Sequence, residues 1–335
     1  MKIGIIRDQF ANPTDAMTFQ EIEGVAMYGR VSELVGRLPY LQYDTVEDVP
    51  DDLDIYDVAE LYHEWSWYFA SRFPERTWVT VWDNIEDFAF QVNPHITQSV
   101  LRAPVAGFIA RTMRTGDMLV NHYGIDPAKV YVVPAAVDDE LFLPIVKPPF
   151  SGEKLVIGYA GRLTWEKGIT RLVHAMRYLQ NAKLIVAGDG PLKDWLVKFC
   201  GMAKIDLDYR GSIPHYEMPQ FFYETDIFIY PSIPTPVWVE QFGVAAFEAV
   251  FCGIPTIVGA TGAYLEYPGL FNLVAPEDVH SLIKAIHLVS SGKGRQVDRS
   301  WLTPLTSKAV GSQLTQIYAG KGSQWQISNL ISVAG

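Results

Sequence analysis

Two carboxylates in an apolar setting are the residues of this chain best placed to do chemistry. Glu240 and Glu248 bracket the run EQFGVAAFE, and Glu248 is the only charged residue in the twenty-five positions between Glu240 and Glu266. Burying an ionised carboxylate unpaired costs several kcal/mol or more, so the pattern implies a protein donor or a ligand rich in hydroxyls. Gly243 follows the loop PSIPTPVWVEQ and opens a stretch, Val244 to Cys252, that reads as a short apolar helix stopped at Gly253. Glu248 then sits in the second turn and Glu240 in the loop before it. The free N–H groups of Gly243 and Val244 at the helix start suit an anion. Hydroxyls for the acids and phosphates for the amides describe a nucleotide sugar. The plainer alternative is that both acids only complement the helix dipole, worth about 0.3–1 kcal/mol each.

A second group lies upstream. Arg162 and Lys167 fall in the loop between the strand LVIGYAG and a helix beginning near Ile169, with Gly161 and Gly168 permitting close backbone approach. Such a loop can grip a diphosphate, and cations fixed there stabilise a departing nucleoside diphosphate more in the transition state than in the ground state. The alternative is a surface pairing with Glu166, which would contribute little. No Asp-x-Asp dyad stands in a suitable loop and no His/Cys cluster is present, so no metal is expected. The DDLD run at Asp51 to Asp54 reads as a solvated acidic turn.

These motifs occur in order. The segment EQFGVAAFEAVFCGIPTIV, preceded by DIFIYPS and followed by TGAYLE, resembles the E-x7-E region of retaining GT-B glycosyltransferases of family GT4. Upstream, GYAGRLTWEKGITRLVHAM, KLIVAGDGP and RGSIPHYEMPQFFYETDIFIYPS are similar to that family's preceding segments, so the resemblance covers about residues 154 to 290. It implies a GT-B fold of two Rossmann-like domains facing across a cleft. It also implies a retaining transferase moving a hexose from a nucleotide diphosphate sugar, UDP- or GDP-linked, to a hydroxyl acceptor such as a sugar or glycoside, with no cofactor and no metal. By the same resemblance Glu240 contacts the transferring sugar, Glu248 the ribose, Gly243 and Val244 the phosphate, and Gly211, Ser212 and Ile213 the base. Arg162, Lys167 and Glu240 are the expected catalytic groups. Trp238 and Phe242 either wall the pocket or pack as ordinary core.

The first part of the chain departs from the family. DQFANPTDAMTF follows Arg7 where a glycine-rich loop is usual, with a turn expected at Asn12-Pro13-Thr14. Trp82, Asp83 and Asn84 stand where many relatives carry a histidine. Trp82, Asp83 and His63, with Glu64 beside it, are therefore the acceptor-side candidates, each also readable as structural.

These groups need a scaffold. Lys2 to Arg7, then Ala16 to Leu38; Trp78 to Trp82, then Ile96 to Arg102; Val105 to Ala110, then Met113 to Tyr123; and Val130 to Pro134 alternate as short apolar and longer amphipathic runs, the pattern of βα units on a parallel sheet. A second series begins at Leu155, with Ile169, Leu172, Val173 and Met176 at helical spacing, and continues through Lys183 to Ala187, Asp226 to Tyr230 and Pro255 to Val258. The proline-bearing stretch Phe142 to Phe150 reads as the join. The expected domains are 1–148 on the acceptor side, 149–303 for the donor, and 304–335 as a closing helix and tail returning to the first domain.

Of the net charge of −11, residues 1 to 150 hold 11 Lys and Arg against 23 Asp and Glu, a balance of −12. That acidity argues against nucleic acid partners and against docking on anionic membranes. No apolar stretch reaches the roughly 20 residues that span a bilayer, and a cytoplasmic location is expected. Cys200 and Cys252 are too few for a disulfide framework and read as small core residues. Two other functions suit the same scaffold: a nucleotide-sugar epimerase or hydrolase, and a non-catalytic sugar or nucleotide binder.

Overall fold

The computed structural model describes residues 1–10, 25–31, 48–83, 85–145, 154–295 and 297–322. The chain divides into two compact units, the first comprising Met1–Ala136 with the segment from Pro304, the second Val137–Thr303.

In chain order the first unit contains β1 (Ile3–Phe10), β2 (Val25–Val31), β3 (Ile55–Ala59), α1 (Glu64–Arg72), β4 (Thr77–Val81), α2 (Phe88–Val92), α3 (Pro94–Arg102), β5 (Gly107–Ala110), α4 (Met113–Asp117) and β6 (Val130–Val132). Its strands are parallel in the order β2-β1-β3-β4-β5-β6. Neighbouring strand residues feed opposite cores. Ile6, Tyr56, Val58, Val79, Val81 and Phe108 pack on one face; Ile3, Ile5, Ile55, Trp78 and Ile109 pack on the other. This two-residue period with both faces covered is why the strands read as continuous apolar runs.

Two expectations for this unit change. The amphipathic stretch Ala16 to Leu38, expected as one helix, contains β2, whose Val25 to Tyr28 pair with Ile3 to Ile6. Valine, methionine and tyrosine suit a pleated strand, and Gly29 costs a helix about 1 kcal/mol, so pairing with β1 prevails. Strand β1 also runs past Arg7 to Phe10; the turn expected at Asn12 to Thr14 lies outside the described residues.

The second unit contains β7 (Leu155–Ala160), α5 (Ile169–Met176), β8 (Ala182–Ala187), α6 (Lys193–Ala203), β9 (Asp206–Gly211), α7 (Met218–Glu224), β10 (Ile227–Tyr230), α8 (Val244–Phe251), β11 (Thr256–Gly259), β12 (Asn272–Val274) and α9 (Val279–Ser290). Its parallel order is β12-β11-β10-β7-β8-β9. From β7 the chain builds outward through β8 and β9, then returns to place β10 on the other side of β7. The loops leaving β7 and β10 therefore diverge, which opens a crevice at the carboxyl ends of these two strands. The unit begins before the expected join: Phe142 is fully buried against His215 and Phe222, and the Ile145 N–H donates to the Cys252 carbonyl over 2.9 Å.

The last helix, α10 (Ser307–Tyr318), belongs to the first unit. Its Val310, Leu314 and Ile317 cover the face formed by Ile3, Ile5 and Ile109. The Tyr318 hydroxyl donates to Asp57, a wholly buried β3 carboxylate that also accepts from Thr80 Oγ1 (2.8 Å) and pairs with Arg7 (3.1 Å). Among the described residues no helix is long and apolar enough to cross a membrane.

Candidate functional site

The crevice between β7 and β10 is bridged by backbone before any side chain is considered. Gly168 N-caps α5 at φ +74°, and a Cβ there would stand 1.9 Å from the Pro231 carbonyl oxygen. Only glycine fits so near the chain leaving β10. The Ile233 N–H donates to the Glu166 carbonyl over 2.8 Å, fastening the two loops again.

That approach delivers Lys167 to Glu240. The ammonium lies 3.0 Å from Glu240 Oε1 and 2.9 Å from Oε2, with the lysine 7% and the glutamate 2% exposed. Ser232 Oγ, from the residue pair following β10, donates to Oε2 over 2.7 Å. The same ammonium sits 4.5 Å from the ring centre of Trp238 and 5.5 Å from that of Tyr230. A carboxylate offers about four lone-pair positions, and Glu240 engages both of its oxygens with Lys167 and Ser232. Burial, and then the negative charge of Glu240, push the phenols of Tyr159, Tyr230 and Tyr264 well above their ordinary range, so all three stay neutral donors.

Arg162 shares this loop and is exposed, its carbonyl accepting from the Tyr159 hydroxyl over 2.9 Å. The pairing with Glu166 weighed from sequence does not form: Glu166 accepts from Thr164 Oγ1 at 2.7 Å, and Lys167 turns to Glu240. Gly161 lies against Tyr230, with room for no Cβ.

Helix α8 starts as expected, with Gly243 at its N-cap and φ +65°, where a Cβ would meet the Tyr264 hydroxyl oxygen at 1.9 Å. Glu248 is 4% exposed in its second turn. Its protein partner is His215, whose Nε2 lies 2.7 Å from Oε1. Phe142 packs edge-on against that imidazole at 5.2 Å. His215 follows β9 in the loop that carries Ile213, so this loop and α8 meet through the His215–Glu248 contact. Sequence reasoning missed both Ser232 and His215. Their available signals were a hydroxyl directly after DIFIYP and a lone histidine in the loop already singled out for its main chain.

Trp238 and Phe242, left open between pocket wall and core, separate. Trp238 faces Lys167, whereas Phe242 is 2% exposed and stacks on Phe247 at 4.1 Å. Cys200 and Cys252 are buried and free, as expected of core thiols.

The remaining candidates lie in the first unit. His63 precedes α1 and is half-buried; Trp82 and Asp83 follow β4. The Arg111 guanidinium carbon sits 5.1 Å from the Trp82 ring centre, and the Trp82 main-chain N–H donates to Glu60 Oε1 over 3.2 Å. Asp83 is 7% exposed, and its carbonyl accepts from Thr115 Oγ1 over 2.9 Å. Asn84 lies outside the described residues. In the DDLD run the three aspartates are exposed, Asp51 pairing with Arg72 and Asp52 with Lys2, while Leu53 is buried in the core.

Residues 145–300 match the family model described as glycosyl transferases group 1. An uncharacterized glycosyltransferase of Methanocaldococcus jannaschii is 31% identical over 34% of this chain and 29% of its own length. The D-inositol 3-phosphate glycosyltransferase of Stackebrandtia nassauensis is 30% identical over 52% of this chain and 41% of its own. The match thus spans less than half the length of these relatives. Among solved structures, HepE of Anabaena in complex with UDP superposes with a TM-score of 0.75 at 15% identity, covering 96% of this chain and all of that one. At that identity the likeness concerns fold, and it assigns the two doubly wound units to the GT-B fold.

Proposed function

We propose that this protein, whose residues 145–300 match the family model of the glycosyl transferases group 1, is a retaining glycosyltransferase that moves a hexose from a nucleotide diphosphate sugar, UDP- or GDP-linked, to a hydroxyl acceptor. The observation that carries this reading is the buried Lys167–Glu240 pair at the β7/β10 crevice, with Arg162 exposed on the same loop.

A buried ion pair contributes little net stability once desolvation is counted, so its position is better explained by chemistry. Lys167 and Arg162 receive the diphosphate. As the bond between the anomeric carbon and the phosphate oxygen breaks, charge grows on that oxygen, and the two cations stabilise it there. The acceptor oxygen bonds to the same carbon, and its proton passes to the departing phosphate oxygen, so no enzyme nucleophile is invoked. Glu240 orients the sugar hydroxyls, and the N–H groups of Gly243 and Val244 take phosphate oxygens. Glu248, held by His215, takes the ribose hydroxyls, and the base lies along Gly211 to Ile213. His63, Trp82 and Asp83 are the acceptor-side candidates. Two cations on one loop make a metal unnecessary in this scheme. A cytoplasmic location is part of the reading, supported by the two free thiols.

Calorimetry with UDP, GDP, ADP and dTDP, each with and without Mg²⁺, tests it. One nucleotide should bind at micromolar concentration, indifferently to the metal, and its sugar should be consumed quickly only when an acceptor is present. Full-rate consumption without acceptor would instead make the enzyme an epimerase or hydrolase. Binding of sugar or nucleotide with no turnover at all would make it a binder.

A further inference from the structure

A groove of about 330 Å³ lies on the second unit, apart from the Lys167–Glu240 pair, lined by Trp165, Thr170, Arg171, His174, Leu192 and Trp195. Helix α5 turns Ile169, Leu172, Val173 and Met176 into the core, and its period therefore presents Thr170, Arg171 and His174 together on the outer side. The first turn of α6 supplies Trp195, which stacks on Phe199 at 5.1 Å; His174 meets the same Phe199 edge-on at 5.0 Å. The wall is thus fixed by ring packing.

Two features of this groove call for a ligand. Trp165 is 49% exposed in a loop whose Leu163 and Lys167 are buried, although burying an aromatic side chain of this kind would gain about 1.5–3 kcal/mol. Arg171, through its side chain, makes no hydrogen bond or ion pair with the described residues, and no carboxylate lines the groove, in a chain of net charge −11.

We propose that this groove is a second carbohydrate site, one that takes an acidic saccharide. The carbon-bound hydrogens on one face of a pyranose ring pack on the electron-rich indole faces of Trp165 and Trp195. The Arg171 fork pairs with a sugar carboxylate, which a planar guanidinium matches in two parallel bonds. Thr170 and His174 supply hydrogen bonds to ring hydroxyls. The groove volume falls at the lower end of the roughly 300–1,000 Å³ of small-molecule sites, enough for a short stretch of chain. The site is separate from the donor site and does not depend on the transferase reading.

The test titrates the full chain with tetragalacturonate, with cellotetraose as the neutral match, following tryptophan fluorescence and heat. Tetragalacturonate should bind more tightly than cellotetraose, and Arg171→Glu and Trp195→Ala should each weaken it by about tenfold or more, the scale of a lost charged hydrogen bond. UDP titrations of the same variants should match wild type. Absence of tetragalacturonate binding, equal binding of the neutral sugar, or unaltered binding by Arg171→Glu would overturn the proposal. Loss of UDP binding in Arg171→Glu would make the groove part of the donor site and overturn it equally. Arg171 lies on the outer side of α5, so its variant decides the matter even if Trp195→Ala fails to fold.

Discussion

Lys167 and Glu240 lie seventy-three residues apart in sequence, yet the Lys167 ammonium contacts both oxygens of the Glu240 carboxylate, at 3.0 and 2.9 Å. The pair ties the loop after β7 to the loop after β10, so each loop reports on the other. Lys167→Met should lower turnover by about 10²–10³, the scale of a lost oxyanion donor. It should also destabilise the second unit by about 3–5 kcal/mol, because Glu240 is left buried with its charge unpaired. The double variant Lys167→Met/Glu240→Gln should regain much of that stability and none of the activity. Denaturant melts and initial rates on the three variants check this, and equal stability losses in single and double variants would refute the coupling.

Glu248 is held by His215 before any donor arrives. Glu248→Gln should weaken nucleotide binding by about 1–3 kcal/mol, and His215→Ala should weaken it less, by freeing the carboxylate to adopt other rotamers. Calorimetry on both variants reads the order. A His215→Ala protein binding as wild type would leave the imidazole a structural role only.

Gly168→Ala is the smallest change expected to abolish the site. The added methyl meets the Pro231 carbonyl at 1.9 Å, and φ is +74°, so the loop must move away from β10 and take Lys167 with it. Nucleotide binding should fall below detection, while Gly201→Ala, whose new methyl would point into open space beyond its own helix, should behave as wild type.

The thiols make a prediction in pH. Burial pushes Cys200 from the ordinary 9.0 to about 11, and burial together with the nearby Glu248 pushes Cys252 to about 12. The folded thiols should therefore resist a disulfide reagent at pH 8, and both should react in urea. Because the folded values are raised, the unfolded chain ionises first. Stability is full below about pH 9 and is lost as pH rises toward 11 and 12. Cys252→Ala should flatten the upper part of that alkaline decline.

Most of this scaffold was legible from local pattern. In the second unit, apolar runs such as LVIGYA and IFIY have one interpretation, since strands buried on both faces leave no polar positions to confuse the period. The isolated Glu248 announced a partner because an unpaired carboxylate is intolerable there. What failed was non-local. Residues 25–31 pair as a strand with β1, and that distant edge decides between the strand preference of VAMYGRV and the amphipathic pattern of the longer stretch around it. Ser232 and His215 are common residue types in unremarkable loops, and only the closure of β10 and α8 around Glu240 and Glu248 gives them their partners. Trp82 and Asp83 are legible as the end of the strand TWVTV and His63 as part of an aromatic stretch, whereas the approach of Arg111 to the Trp82 ring depends on β4 and β5 lying side by side.

The contact of Tyr318 with Asp57 bears on how the chain is made. The two residues are 261 positions apart, and on a ribosome adding about 5–20 residues per second that distance is on the order of 10–50 s. During this interval Ile3, Ile5 and Ile109 have no α10 to cover them, and Asp57 and Arg7 lack the phenol that completes their network. The second unit, whose residues are contiguous, emerges whole before that helix does. Of the two units, the one whose synthesis starts earlier is therefore completed later, and a nascent chain arrested before residue 307 would present an open apolar sheet face to chaperones.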